Sequence, residues 1–473
     1  MKCQASAFLE SQKKTLREII DACAEEYSYV SILGTDVYGQ DIFLDGSGMG
    51  IHPAVEEERG FVLRVYHESG FSEYSFNHVD KEDVLREIHK AVKQDRSSFL
   101  ARHASMAYPS APEDRPLKQS YFAKISRDPL KDEPSQQLDL LKQTHDAALK
   151  EYPRIIFLQL ESQWTQVNKL FLSKQRELEQ SYFYTVIMAY ATAREGENVQ
   201  SYYATKTGVD PWPDGSALLA KTREACEGAL QLLKAETLEP GEYDIIVEPE
   251  FSGLIAHEAF GHGTEMDMFV KDRAKGREYL GKTVAAPAVR MHDGATAYRE
   301  NSSYLFDDEG NLGGDSLIID QGIFARGMAD ELTALQLGVT PTGNGKRESY
   351  KRKAYTRMTN TFFEAGEDDL DEMIASIKHG YLLHGCGSGM EDPKNWGIQC
   401  QAQLGQEIVD GKFSGKIVAP VTLTGYVPDL LQSMSRFSRD LELNGAGYCG
   451  KGWKEYVRVS LGGPYIKARG KLS

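Results

Sequence analysis

Two histidines and a glutamate stand in one short run, LIAHEAFGHGTEMD, as His257, Glu258 and His262. Imidazole nitrogens bind divalent transition metals, and a carboxylate beside such a site takes a proton from water. The trio therefore has the parts of a hydrolytic metal centre. Its spacing is HExxxH rather than the commoner HExxH. Histidines four apart share one face of an α-helix, whereas a spacing of five turns them roughly 140° apart. Two devices bring both imidazoles to one ion: a π-bulge that fits an extra residue into a turn, or a helix that ends at Gly261 and Gly263, which flank His262. A third ligand must come from elsewhere, leaving a fourth position for water. The metal-free alternative, two histidines on an apolar helix, stays open at this point. Glu265 and Asp267 follow in GTEMD. Either they orient His257 or His262 through hydrogen bonds, or they form a solvated acidic turn.

The elements that must position these residues are legible from periodicity. A helix is expected near 6–27, then Gly-punctuated strands through YVSILGTDVYGQDIFLDGSG and a hairpin around Glu68 to Gly70. KEDVLREIHKAVKQ has helical spacing, and the polar, proline-bearing stretch 95–137 reads as an irregular excursion or an arm that wraps a partner. A helix over 138–151 precedes two runs dense in β-branched and aromatic residues, which predict meandering antiparallel strands. A helix near 216–234 then gives way to TLEPGEYDIIVEPEFSG, a turn and a buried strand, and SLIIDQGIF and KIVAPVTLTGYV read as further strands. At 473 residues the chain exceeds what one core usually organises. The expected fold class is α+β with two domains, 1–235 and 236–473, each of mixed helix and largely antiparallel sheet.

Composition narrows the partners. A formal charge of −16, from 70 acidic against 54 basic side chains, disfavours nucleic acid and anionic membrane surfaces. The basic run KRESYKRK at 346–353 reads as a solvated loop. No stretch reaches the length of an apolar membrane span and the N-terminus lacks a signal pattern, so a cytoplasmic location is expected. Cys3, Cys23, Cys226, Cys386, Cys400 and Cys449 are too irregular for a disulfide framework, so reduced thiols are expected, one of them available as a ligand. The spacing of His384, Cys386 and Cys400 fits no metal pattern.

Four segments resemble the TldD/PmbA family of metallopeptidases, once labelled modulators of DNA gyrase. They are GEYDIIVEPEFSGLIAHEAFGHGTEMD, FDDEGNLGGDSLIIDQGIFARGM, RMTNTFFEAGEDDLDEMIASIKHGYLL and GAGYCGKGWKEYVRVSLGGP, in the order of that family's C-terminal domain. The resemblance implies that His257, His262 and Cys449 bind Zn²⁺ and that Glu258 is the general base. It places the chain with the catalytic TldD type rather than the PmbA (TldE) type, which lacks the motif. Cys449 also suits the role chemically, since NGAGYCGKG is a Gly-rich turn that can approach an ion and a thiolate is a good zinc ligand. A His/His/thiolate set favours zinc over Mg²⁺ or Ca²⁺. Arg357 and Asn360 of RMTN fall in a recurring family motif, where they line a substrate groove, hold the metal loop or make structural hydrogen bonds. Where the family often continues with Gly-Gln after CGK, this chain has GWKEY; Trp453 and Lys454 either alter the cleft or are a packed and a solvated side chain. The implied activity is hydrolysis of short or unfolded peptides. The implied architecture is an N-terminal domain for substrate access and dimerisation, in a homodimer or a heterodimer with a PmbA/TldE-like subunit. The rival readings are a non-catalytic metal-binding assembly subunit and, less compatible with the charge, a regulator of DNA topology.

Overall fold

The computed structural model describes residues 1–67, 70–102, 108–210, 215–451 and 454–473. The N-terminal half is built on three long strands, Tyr29–Asp45, Ile155–Ser173 and Arg176–Glu195, which pair antiparallel within one eight-stranded sheet. Their branched and aromatic side chains suit a pleated surface that is covered in patches. Helices Ala7–Cys23 and Lys81–Arg102 bury Leu16, Ile19, Ile20, Val84 and Ile88 against one part of it. Helices Pro134–Glu151 and Gly215–Leu232 bury Leu141, Ala225 and Ala229 against another. The first helix begins where Ser6 Oγ accepts the Leu9 amide at 3.1 Å, an N-cap that satisfies one of the free amides of the first turn.

Two expectations are corrected here. The stretch 95–137 is not an arm: helix Lys81–Arg102 runs into it, and Leu117–Phe122 adds a parallel edge strand beside Arg176–Glu195. An edge strand can be polar because backbone pairing, not side-chain burial, holds it. Residues 103–107 of that stretch lie outside the described residues. The basic run is solvated at Glu348 and at Lys351, Arg352 and Lys353, but Arg347 is drawn into an ion pair with Glu73 at 2.6 Å. The hairpin's strands, Glu58–His67 and Gly70–Phe76, pair as expected, and its turn residues 68 and 69 lie outside the described residues.

From Gly241 onward the strands enter other sheets. A seven-stranded sheet includes Gly241–Val247, His379–Asp392, Gly397–Val409, Val421–Tyr426 and Ile466–Leu472. A six-stranded sheet includes Met291–Asp293, Asn360–Phe363 and Ser460–Gly463. Pairing is largely antiparallel, with Asn360–Phe363 beside Ser460–Gly463 a parallel exception. The helical segment that carries the HExxxH run packs against strands of both sheets, so Phe251, Ile255, Ala256 and Phe260 are fully buried. Among the described residues no helix is long and apolar enough to cross a membrane.

Candidate metal centre

The helix before the motif, Pro249–Leu254, starts with proline in its first turn, where no amide is needed. It passes into a π-helix over Ile255–Gly261 and then a 3₁₀ turn over His262–Thr264. The His262 amide donates to the His257 carbonyl five residues back, so one extra residue fits in the turn. Both devices considered for HExxxH are thus present, a π turn followed by the end of the helix. The imidazoles converge with centroids 5.0 Å apart and planes at 85°. Gly261 permits this close packing: a Cβ there would stand 2.3 Å from Met358 Sδ.

Cys449 arrives on strand Tyr448–Lys451, which pairs with Lys454–Arg458. Its Sγ lies 3.3 Å from His262 Nε2, and one ligand atom from each of His257, His262 and Cys449 falls within 4.8 Å of the others. Glu258 stands at the same point, with Oε2 3.7 Å from His262 Nε2 and Oε1 4.0 Å from His257 Nε2. Burial alone pushes the Cys449 thiol up, but His262 and His257 beside it outweigh this and hold it well below the ordinary thiol value. His262 is pushed well above the usual imidazole value, since the thiolate and Glu265 overcome the burial that lowers it. The buried His257 Nδ1 has no hydrogen-bond partner among the described residues. A thiolate, two imidazoles and an orphaned ring nitrogen fit a divalent metal of the zinc type.

Around this trio the remaining sequence candidates separate. Glu265, 1% exposed, accepts from His262 Nδ1 at 3.4 Å and sits between Lys451 Nζ at 3.2 Å and Arg357 Nε at 3.6 Å. Burial would raise its carboxyl, yet Lys451 foremost holds it far below the usual carboxylate range. Asp267 receives Lys451 at 2.6 Å and Lys271 at 3.0 Å and makes no direct hydrogen bond to either histidine among the described residues. Arg357 is 1% exposed; it donates from Nη2 to the Cys449 carbonyl at 2.6 Å and from Nη1 to the Glu455 carbonyl. It therefore grips the hairpin that carries the thiolate. Asn360 is fully buried and donates to Gly294 O at 3.0 Å and Tyr298 O at 3.1 Å, holding the turn that follows strand Met291–Asp293. Neither Arg357 nor Asn360 is among the residues that line the cleft. Trp453 and the Lys454 side chain lie outside the described residues. His384 bonds Glu248 at 2.7 Å, Cys400 is buried in the core, and no second group of metal-ligating side chains occurs among the described residues.

Lys451 and Glu391 were missed by sequence reasoning. Lys451 had a signal in its place two residues past Cys449 on the same short strand. Glu391, which accepts from the Gly263 amide at 2.9 Å, comes from a strand far along the chain and had none.

The centre opens into a cleft of about 860 Å³ whose walls come from both halves of the chain. One wall is Glu250, Leu254, His257 and Glu258 with the Cys449 hairpin; the other is Glu161, Met188 and Thr205, a row across three paired strands of the N-terminal sheet.

Residues 240–470 match the family described as PmbA/TldA metallopeptidase C-terminal domain. Among curated relatives, a metalloprotease of Methanocaldococcus jannaschii is 32% identical over 284 residues, covering 59% of this chain and 61% of that protein. A zinc metalloprotease TldD homolog of Saccharolobus solfataricus is 31% identical over 238 residues, covering 50% of this chain and 52% of that one. The chain belongs to the TldD/PmbA family. It matches these relatives over about half to three fifths of their length. The TldD/PmbA fold extends across the whole chain: TldE from Thermococcus kodakarensis superposes with a TM-score of 0.77 at 17% identity, covering 97% of this chain and 100% of that one.

Proposed function

We propose that this chain is the catalytic, TldD-type member of its family, a zinc-dependent peptidase acting on short or unfolded peptides. The observation that carries the reading is the convergence of His257, His262 and Cys449 within 4.8 Å, with the Glu258 carboxylate beside them and open to the cleft. These three residues would hold the ion, which when bound supplies Lewis acidity that polarises a carbonyl and acidifies water. Glu258 takes the water's proton and delivers it to the leaving amine. Arg357 and Lys451 fix the hairpin and Glu265, so that the thiolate and the His262 ring keep their positions. The depth of the cleft between two sheets favours an extended chain over a folded protein, and strand Tyr448–Lys451 at its wall, paired on one side only among the described residues, can dock it as an added strand. A cytoplasmic homodimer, or a pair with a TldE-like subunit, completes the proposal; the shared fold of a solved TldE supports it.

The test is cleavage of a denatured, fluorescently labelled peptide mixture by the zinc-loaded protein and by Glu258→Gln. Loss of about 10²- to 10⁴-fold in rate with metal content unchanged is the expected result. Undiminished cleavage by the variant would remove Glu258 from its role. A closed four-ligand site with no cleavage by the wild type would favour the non-catalytic assembly subunit.

A further inference from the structure

The charged groups of the cleft are not balanced. Two cations line it, and both are committed: Lys451 to Asp267 and Glu265 at 2.6 and 3.2 Å, and Arg458 to Glu56 at 2.7 Å. Three carboxyls that line it, Glu250, Glu161 and Glu391, form no ion pair with any described residue, and of these Glu391 accepts the Gly263 amide at 2.9 Å. Asp41, the acidic neighbour of Glu161, is partly buried and leaves Oδ1 without a hydrogen-bond partner. The Glu250 carboxyl makes no hydrogen bond to any described residue either. Lys221, the cation whose field reaches it, is itself paired to Glu224 at 2.7 Å.

Position gives Glu250 a distinct job. Glu250, Leu254, His257 and Glu258 follow the helical spacing of one face, and all four line the cleft. Seven residues of helix place Glu250 about 10 Å along the axis from His257. An extended peptide covers that distance in about three residues.

We propose that Glu250 is a specificity residue that receives a cationic group, a lysine or arginine side chain or a free α-ammonium, about three residues from the bond that is cut. The inference rests on the peptidase reading above. Burial, with Glu248 adding to it, pushes the Glu250 carboxyl up to about 8 while it stands alone. An incoming ammonium restores the charge that burial disfavours, which makes the unpaired carboxyl a receptor rather than a packing element.

The experiment walks one lysine along an otherwise neutral, unstructured peptide. Each lysine peptide is compared with its acetyl-lysine twin, and each series is made with a free and an acetylated N-terminus. The zinc-loaded wild type should favour lysine roughly ten-fold in kcat/KM at one position. The lysine to acetyl-lysine ratio should fall to near one in Glu250→Gln, and Glu250→Lys should favour a glutamate there instead. A preference that follows the free N-terminus instead assigns the site to an α-ammonium. Cleavage without any dependence on charge, or a lysine preference that persists in Glu250→Gln, overturns the proposal. Anisotropy binding of the same peptides to Glu258→Gln separates the two readings. Tighter binding of the lysine peptide with no turnover by the wild type would sink the peptidase while sustaining the subsite.

Discussion

Glu258 and Glu265 carry the same functional group into opposite settings. Glu258 faces the cleft beside two imidazoles, where a carboxylate can take a proton and give it back. Glu265 lies beneath them, 1% exposed, with Lys451 and Arg357 around it, and its work is to hold charge still. Glu265→Ala leaves those two cations buried without it and is expected to cost about 3 kcal/mol in chemical denaturation. The sign with pH is fixed by the depressed carboxyl. Its stabilisation is complete above the ordinary range of about pH 4 and is lost as pH falls through the folded value. The gap between wild type and variant should therefore hold steady from pH 5 to 8 and narrow in strong acid; a gap that widens in acid would contradict the ion-pair account.

At the scale of elements, the centre depends on one helical segment meeting one strand closely. A Cβ on Gly253 would stand 2.2 Å from the Gly462 amide nitrogen and 2.5 Å from its Cα, backbone atoms that cannot swing aside. Gly253→Ala should push the segment off strand Ser460–Gly463, costing about 3 kcal/mol or more and weakening metal retention. A variant with wild-type melting temperature would show that the contact is slack. Much of this level was readable in the residues. The five-residue spacing of His257 and His262 demanded a π turn or a helix end, and the density of β-branched and aromatic residues over 155–175 and 181–205 pointed to the long strands Ile155–Ser173 and Arg176–Glu195. Leu117–Phe122 was not readable, because an edge strand held by backbone pairing leaves no apolar trace. Nor was the Cys449 hairpin's dependence on Arg357, a contact 92 residues apart in sequence that only the folded chain closes.

At the scale of the molecule, the two halves meet through buried charge. Arg64 bridges Glu73 and Glu309 at 2.6 Å each, and Lys169 pairs with Asp308. Glu58 lies at this junction, accepting the Tyr350 amide at 3.1 Å, and burial pushes its carboxyl up to about 7. A raised carboxyl contributes its full stability below its unfolded value and loses it as pH rises through the folded one. Glu58→Gln removes that titration, so it should match wild type near pH 4 and exceed it by on the order of 1–2 kcal/mol at pH 8. Equal pH profiles for the two proteins would mean that Glu58 is not desolvated by the junction. The cleft and its acidic lining depend on this junction, since both halves supply walls. The central claim nevertheless turns on one centre, and the direct measurement is the zinc content of the purified whole chain beside that of Cys449→Ala. About one zinc per chain in the wild type, lost in the variant with the fold retained, is the predicted result. A wild type that stays free of metal when zinc is supplied, or a variant that binds it equally well, would contradict the assigned centre.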